Sequence, residues 1–162
     1  MSVESDIAYL REIPAFQRLD DEHLRFVADC AETIAVAQDE VVFHADGPAD
    51  AFYLVVQGTI GLYHTSNADD WVHVQNIEPR ELLGWSWMVP PYEWEFSARA
   101  PGSAILMRFD AKRIRARCEQ EPAFGYQVMR RVCEQMLTRL HAMRTSMSMQ
   151  IHQLERLQKT ET

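Results

Sequence analysis

No stretch of this sequence is apolar for the roughly 20 residues that a bilayer-crossing helix requires. Its opening, MSVESDIAYLRE, has no basic segment leading into an apolar one, so neither secretion nor membrane insertion is expected, and the expected location is the cytoplasm. Cysteine is scarce: Cys30, Cys118 and Cys133 are odd in number, widely spaced, and form no CxxC or Cys/His pattern. That argues against zinc and iron–sulfur centres and fits reduced thiols. Positive charge is in deficit, with 16 Lys and Arg against 24 Asp and Glu, a net charge of -8 and a pI near 5.2. A chain that must neutralise phosphates needs the opposite balance, so no direct nucleic-acid partner is expected. The short basic run Lys112–Arg117 is flanked by Asp110, Glu119 and Glu121 and reads as a solvated helix face.

Catalytic patterns are missing too. There is no nucleophile elbow, phosphate-cradling loop or HExxH helix. Glu93 and Glu95 straddle Trp94 and would share one face of a strand, but nothing beside them handles a substrate. His64 and His73 could face each other across a hairpin, yet two histidines without a third ligand make a poor metal site. The chain is read as non-enzymatic, with no metal and no certain cofactor.

What is present is enough apolar material, 47% of 162 residues, for one core. Residues 4–31 carry apolar groups at helical spacing, interrupted by Pro14, and a helix should begin near Glu22 behind Asp20 and Asp21. From about residue 33 to 109 short β-rich runs alternate with turns: Thr33–Ala37, Glu40–Ala45, Ala51–Val56, Thr59–His64, Trp71–Ile77, Glu95–Ala100 and Ala104–Phe109. Asp110 then can cap a helix to about Gln120, and Pro122 can open another that runs to the end. In this last helix Met129, Cys133, Met136, Leu140, Met143, Met147, Ile151, Leu154 and Gln158 step by fours and threes, close to the 3.5-residue repeat of a coiled-coil seam. A second copy of the chain is the simplest partner, through Met136, Leu140, Met143, Met147, Ile151 and Leu154. The expected organisation is a body over residues 1–126 and a dimerising helix over residues 127–162.

Leu10-Arg-Glu-Ile-Pro-Ala-Phe16 with Leu19-Asp-Asp-Glu-His-Leu24, and Val41-Val-Phe-His-Ala-Asp-Gly47 with Ala51-Phe-Tyr-Leu-Val-Val-Gln-Gly58, resemble the opening helices and paired strands of the cyclic nucleotide-binding domain in the catabolite activator and fumarate-nitrate regulator superfamily. The likeness spans about residues 8–150. It implies an α+β fold: a double-stranded β-helix, that is, a jelly-roll-like β-roll, flanked by N-terminal helices and a long C-terminal dimerisation helix. Relatives that regulate transcription carry a helix-turn-helix domain after that helix; this chain is expected to stand alone without one.

The resemblance also locates a ligand pocket, and there the residues depart from the family. A Gly-Glu-Leu motif and a later Arg ordinarily hold the ribose and the cyclic phosphate. Here Glu81 and Leu82 are present but the glycine is Arg80, and the clamping Arg falls near Trp94. Losing that partner would cost about 2–5 kcal/mol, roughly thirty-fold to several thousand-fold in affinity. On the last helix Met143 and Arg144 stand where hydroxyl side chains meet the base. The candidate ligand residues are thus Glu81, Leu82, Leu83, Gly84, Trp85, Ser86, Trp94, Phe96, Ser97, Ala98, Arg99, Met143 and Arg144, with Arg99 expected to turn inward and pair with Glu81 or Glu95. Trp85, Trp87, Tyr92, Trp94 and Phe96 either plug the pocket or form a box for another ligand. Three functions remain open: a dimeric sensor or adaptor with a degenerate phosphate site, taking a cyclic nucleotide or another small planar or anionic ligand, or none; a ligand-free dimeric scaffold; or a true cyclic nucleotide-binding regulator acting on a partner protein.

Overall fold

The computed structural model describes residues 3–160. Helix α1 (Val3–Arg11) leads into a 3-10 turn at Pro14–Phe16, and α2 spans Asp21–Asp29. Asp20 caps α2, its carboxylate accepting the His23 N–H at 2.8 Å, which sets the helix start one residue before the expected Glu22. Eight strands follow: β1 (Ala31–Val36), β2 (Val41–Phe43), β3 (Ala51–Gln57), β4 (Ile60–Asn67), β5 (Asp70–Ile77), β6 (Leu82–Leu83), β7 (Ser97–Arg99) and β8 (Ala104–Asp110). They form two antiparallel four-stranded sheets, ordered β1-β8-β3-β6 and β2-β7-β4-β5, which is the expected β-roll.

All seven strand segments read from the sequence are present. Glu95–Ala100 contracts to β7 because Trp94 is held outside the ladder, its backbone bonded to Gly47 O at 2.9 Å and to Asp46 N at 2.8 Å. Glu93 and Glu95 therefore lie outside any strand, both exposed on either side of buried Trp94. His64 and His73 do not face each other: a bulge shifts the hairpin so that His73 opposes Tyr63 and His64 opposes Val72. No cluster of three metal-binding side chains occurs among the described residues.

The core beneath the helices is aromatic. Phe52 stacks on Phe109 at 4.7 Å and on Trp87 at 4.4 Å, and Trp87 belongs to a 3-10 turn at Ser86–Met88. Helix α3 (Ala111–Gln120) starts behind Asp110, which accepts the Arg113 N–H. Its basic residues are engaged within the molecule: Arg113 meets Asp29 at 2.8 Å, Arg117 meets Glu22 and Glu121, Lys112 lies 3.4 Å from Asp50, and Arg115 stacks over Tyr92 at 4.2 Å.

Helix α4 (Pro122–Thr160) runs 39 residues. Phe124, Val128, Val132, Gln135 and Arg139 form the face turned to the body, spaced by fours and threes, and are buried or half-buried. Beyond Met143, every described residue to Lys159 is exposed, a length of helix the body cannot cover. Met136, Leu140, Met147, Ile151 and Leu154 lie on the exposed surface, while Met143 is half-buried. No helix among the described residues is long and apolar enough to cross a membrane.

Candidate functional site

The pocket expected between the β-roll and α4 is reduced to a cavity of about 20 Å³, lined by Phe43, Leu62, Gly84, Trp85, Ser86, Trp94, Glu95, Phe96 and Arg139. That is room for one water; small-molecule sites take roughly 300–1,000 Å³. The occupant of the space is Trp94. Its indole is buried and stacks on Phe43 with ring centres 3.8 Å apart and planes 11° off parallel. Phe43 in turn stacks on Tyr53 at 6.0 Å, so the indole is tied to the core rather than laid over it.

Gly84 makes this seat possible. It has φ +95°, and a Cβ there would lie 2.5 Å from the Trp94 ring, so the tight approach and the backbone angle both require glycine. Arg80 shows the converse. Expected at the glycine of the family motif, it adopts φ 74°, a left-handed conformation that costs a side-chain-bearing residue about 1–2 kcal/mol. The turn keeps its shape, with the Arg80 guanidinium donating to the Glu12 carbonyl at 2.6 Å.

Arg139 closes the cavity from α4. It is 6% exposed and donates to the Leu82 carbonyl, which also accepts from Gln135 Nε2 at 2.6 Å. The guanidinium lies over the Trp85 ring at 4.8 Å and forms no ion pair among the described residues. Burial pushes its pKa down to about 10, partly opposed by the field of Glu81.

Gly84, Trp85, Ser86, Trp94 and Phe96, all expected at the site, do line the cavity. Leu82, Leu83 and Ala98 support it from β6 and β7, Leu83 and Ala98 being fully buried. The remaining candidates lie elsewhere. Glu81 is exposed and its carboxylate accepts the Glu78 N–H at 2.9 Å, closing the turn before β6 instead of facing the cavity. Ser97 Oγ accepts the Ala45 N–H at 2.9 Å.

Arg99 does not turn inward to a glutamate. Because strand residues alternate faces and Ala98 pairs with cavity-lining Leu62, Arg99 projects to the opposite face, between Tyr63 at 4.9 Å and Trp71 at 4.8 Å. Neither Met143 nor Arg144 lines the cavity: Met143 is half-buried on α4, and Arg144 is exposed in a groove of α4 itself with His141, Ser148 and His152. Of the aromatic box, Trp87 and Tyr92 are elsewhere, one in the core against Phe52 and one beneath Arg115. The residues not foreseen at the cavity are Phe43, Leu62, Glu95 and Arg139. Arg139 left one signal: it is the single charge on the inner stripe formed with Phe124, Val128 and Val132.

Residues 33–121 match the sequence model of the cyclic nucleotide-binding domain. Among solved structures, a candidate cyclic nucleotide-binding protein from Geobacter metallireducens is 28% identical with a TM-score of 0.76, over 83% of this chain and 97% of that one. The N-terminal domain of a transcriptional regulator from Streptomyces coelicolor is 23% identical with a TM-score of 0.64, covering 83% and 94% of the two chains. A cAMP-independent protein kinase A regulatory subunit from Trypanosoma cruzi, bound to guanosine, shares the fold at 16% identity and a TM-score of 0.64, over 76% of this chain and 47% of that one. No curated protein matches the sequence.

Proposed function

The chain belongs to the cyclic nucleotide-binding domain family, and from that footing we propose that it is a non-enzymatic, homodimeric regulatory module whose cyclic-phosphate pocket is closed. The observation that carries this is Trp94, stacked on Phe43 and seated over Gly84, with about 20 Å³ left beside it. A cyclic nucleotide needs a cavity many times larger and a cation for its phosphate. The position of that cation holds an indole, and Arg99 is committed to the outer face.

Regulation then passes through α4 by protein contact. It carries Met136, Leu140, Met147, Ile151 and Leu154 in the open, and burying such side chains contributes about 1.5–3 kcal/mol each. Two such seams zipped together form a coiled coil of 127–158, leaving 1–126 as the bodies at its end. A partner protein reading the spacing of the two bodies is the output that fits a methionine-rich seam, because thioethers tolerate shifts in packing.

Differential scanning fluorimetry tests the reading. Cyclic AMP, cyclic GMP and cyclic dinucleotides at millimolar concentration should leave the melting temperature unmoved, because a ligand that binds only the native state must raise it. A concentration-dependent rise with any of them would reinstate the sensor of cyclic nucleotides.

A further inference from the structure

Apart from the family pocket, a cavity of about 430 Å³ lies beneath the first turns of α4. Its floor is Phe16, Val27, Phe52, Trp87, Ile114 and Val132, each 6% exposed or less. Protein interiors leave few voids larger than a water molecule, since unfilled apolar space forfeits dispersion contacts on every wall. A volume within the small-molecule range, walled by one α4 face, the Pro14–Phe16 turn and the core tryptophan, has the form of a ligand site.

Charge at the mouth says which ligand. Arg18, Arg130 and Arg131 all line the opening. Arg130 and Arg131 share one carboxylate, Glu134, at 3.2 and 2.6 Å, and exposed Arg18 forms no ion pair among the described residues. Three guanidiniums over one carboxylate leave a local surplus of about two positive charges on a chain whose net charge is -8. An apolar body with a single anionic head is what fits both the floor and the mouth.

We propose that this cavity binds a hydrophobic monocarboxylate, its chain against Phe52, Trp87 and Val132 and its carboxylate at Arg18 and the Arg130–Arg131 pair. None of the α4 residues that wall it, between Ala123 and Gln135, is one of the seam residues Met129, Cys133, Met136 and Leu140. The proposal is independent of whether the Trp94 pocket is closed.

Calorimetric titration of the full chain with decanoate, decanol and decyltrimethylammonium, all below micellar concentration, tests it. One decanoate should bind per chain, about tenfold or more tighter than decanol, the difference a charge-assisted hydrogen bond makes, and the cationic probe should not bind. Arg18→Glu, at an exposed position, should keep the melting temperature and weaken decanoate by about tenfold or more. Val132→Phe, which fills the floor, should remove binding. Absence of saturable decanoate binding overturns the proposal, as does equal affinity for all three probes, or an affinity that neither variant changes.

Discussion

Trp94 is the residue on which the pocket depends. Its ring fills the space between Phe43 and Gly84 and is buried to 5% exposure. Trp94→Ala should destabilise by about 3–5 kcal/mol, the transfer and cavity cost of a buried aromatic, whereas Val72→Ala on the exposed strand face should stay within about 0.5 kcal/mol. Denaturant unfolding of the two variants measures this; equal midpoints would mean the indole is not a packed core group. A second cluster gives a pH dependence. The His23 backbone N–H holds the Asp20 carboxyl below its ordinary pKa, and the His23 ring, 2.6 Å from Glu121, holds Glu121 below its own. Each carboxylate binds its proton less tightly folded than unfolded, so its contribution is present at neutral pH and is lost as pH falls through the folded value. Thermal stability should therefore fall more steeply below about pH 4 in the wild type than in the Asp20→Asn/Glu121→Gln double variant. Parallel curves would show that the cluster contributes nothing.

At the level of elements, α4 carries the strongest expectation. Its inner stripe ends at Arg139 and Met143, and its outer stripe continues past them with no body to cover it. Leu140→Asp with Leu154→Asp places unpaired charges in a seam that must exclude water, at positions where a lone chain already exposes both leucines by half or more. Light scattering should find two chains per particle in the wild type and one in the double variant, with unchanged circular dichroism at strand wavelengths. A wild-type monomer, or a variant that remains paired, would remove α4 as the dimerising element. Elements with a repeating signal were legible in the sequence: the strands alternate, the seam steps by 3.5, and Asp20, Asp110 and Pro122 mark helix starts. Leu82–Leu83 was not, because two residues cannot display a period and their pairing with Tyr53 and Leu54 is set by the turn at Arg80.

Seen whole, the molecule is a member of the cyclic nucleotide-binding domain family, and the proposal places its departure in one loop. The fold was legible because its evidence is spread over many segments, each contributing turns and apolar spacing that agree. The site was legible only in part, since the loop from Gly84 to Phe96 carries no period and its outcome depends on which side chains face in. That Trp94 and not Arg99 would enter the roll followed from the parity of a three-residue strand, with Ala98 inward and Arg99 caught between Tyr63 and Trp71. Glu81 was expected at the ligand, and its carboxylate instead accepts the Glu78 N–H in the turn before β6. Arg139 was hidden by distance, 55 residues beyond Gly84, and reached the cavity only through the docking of α4.

Isothermal titration calorimetry of the purified full chain with 3′,5′-cyclic AMP and cyclic GMP tests most directly whether Trp94 keeps the pocket filled. Heats of dilution alone are predicted for both nucleotides. Saturable uptake of one nucleotide per chain would contradict the account, since it would require Trp94 to leave the seat that Phe43 and Gly84 provide.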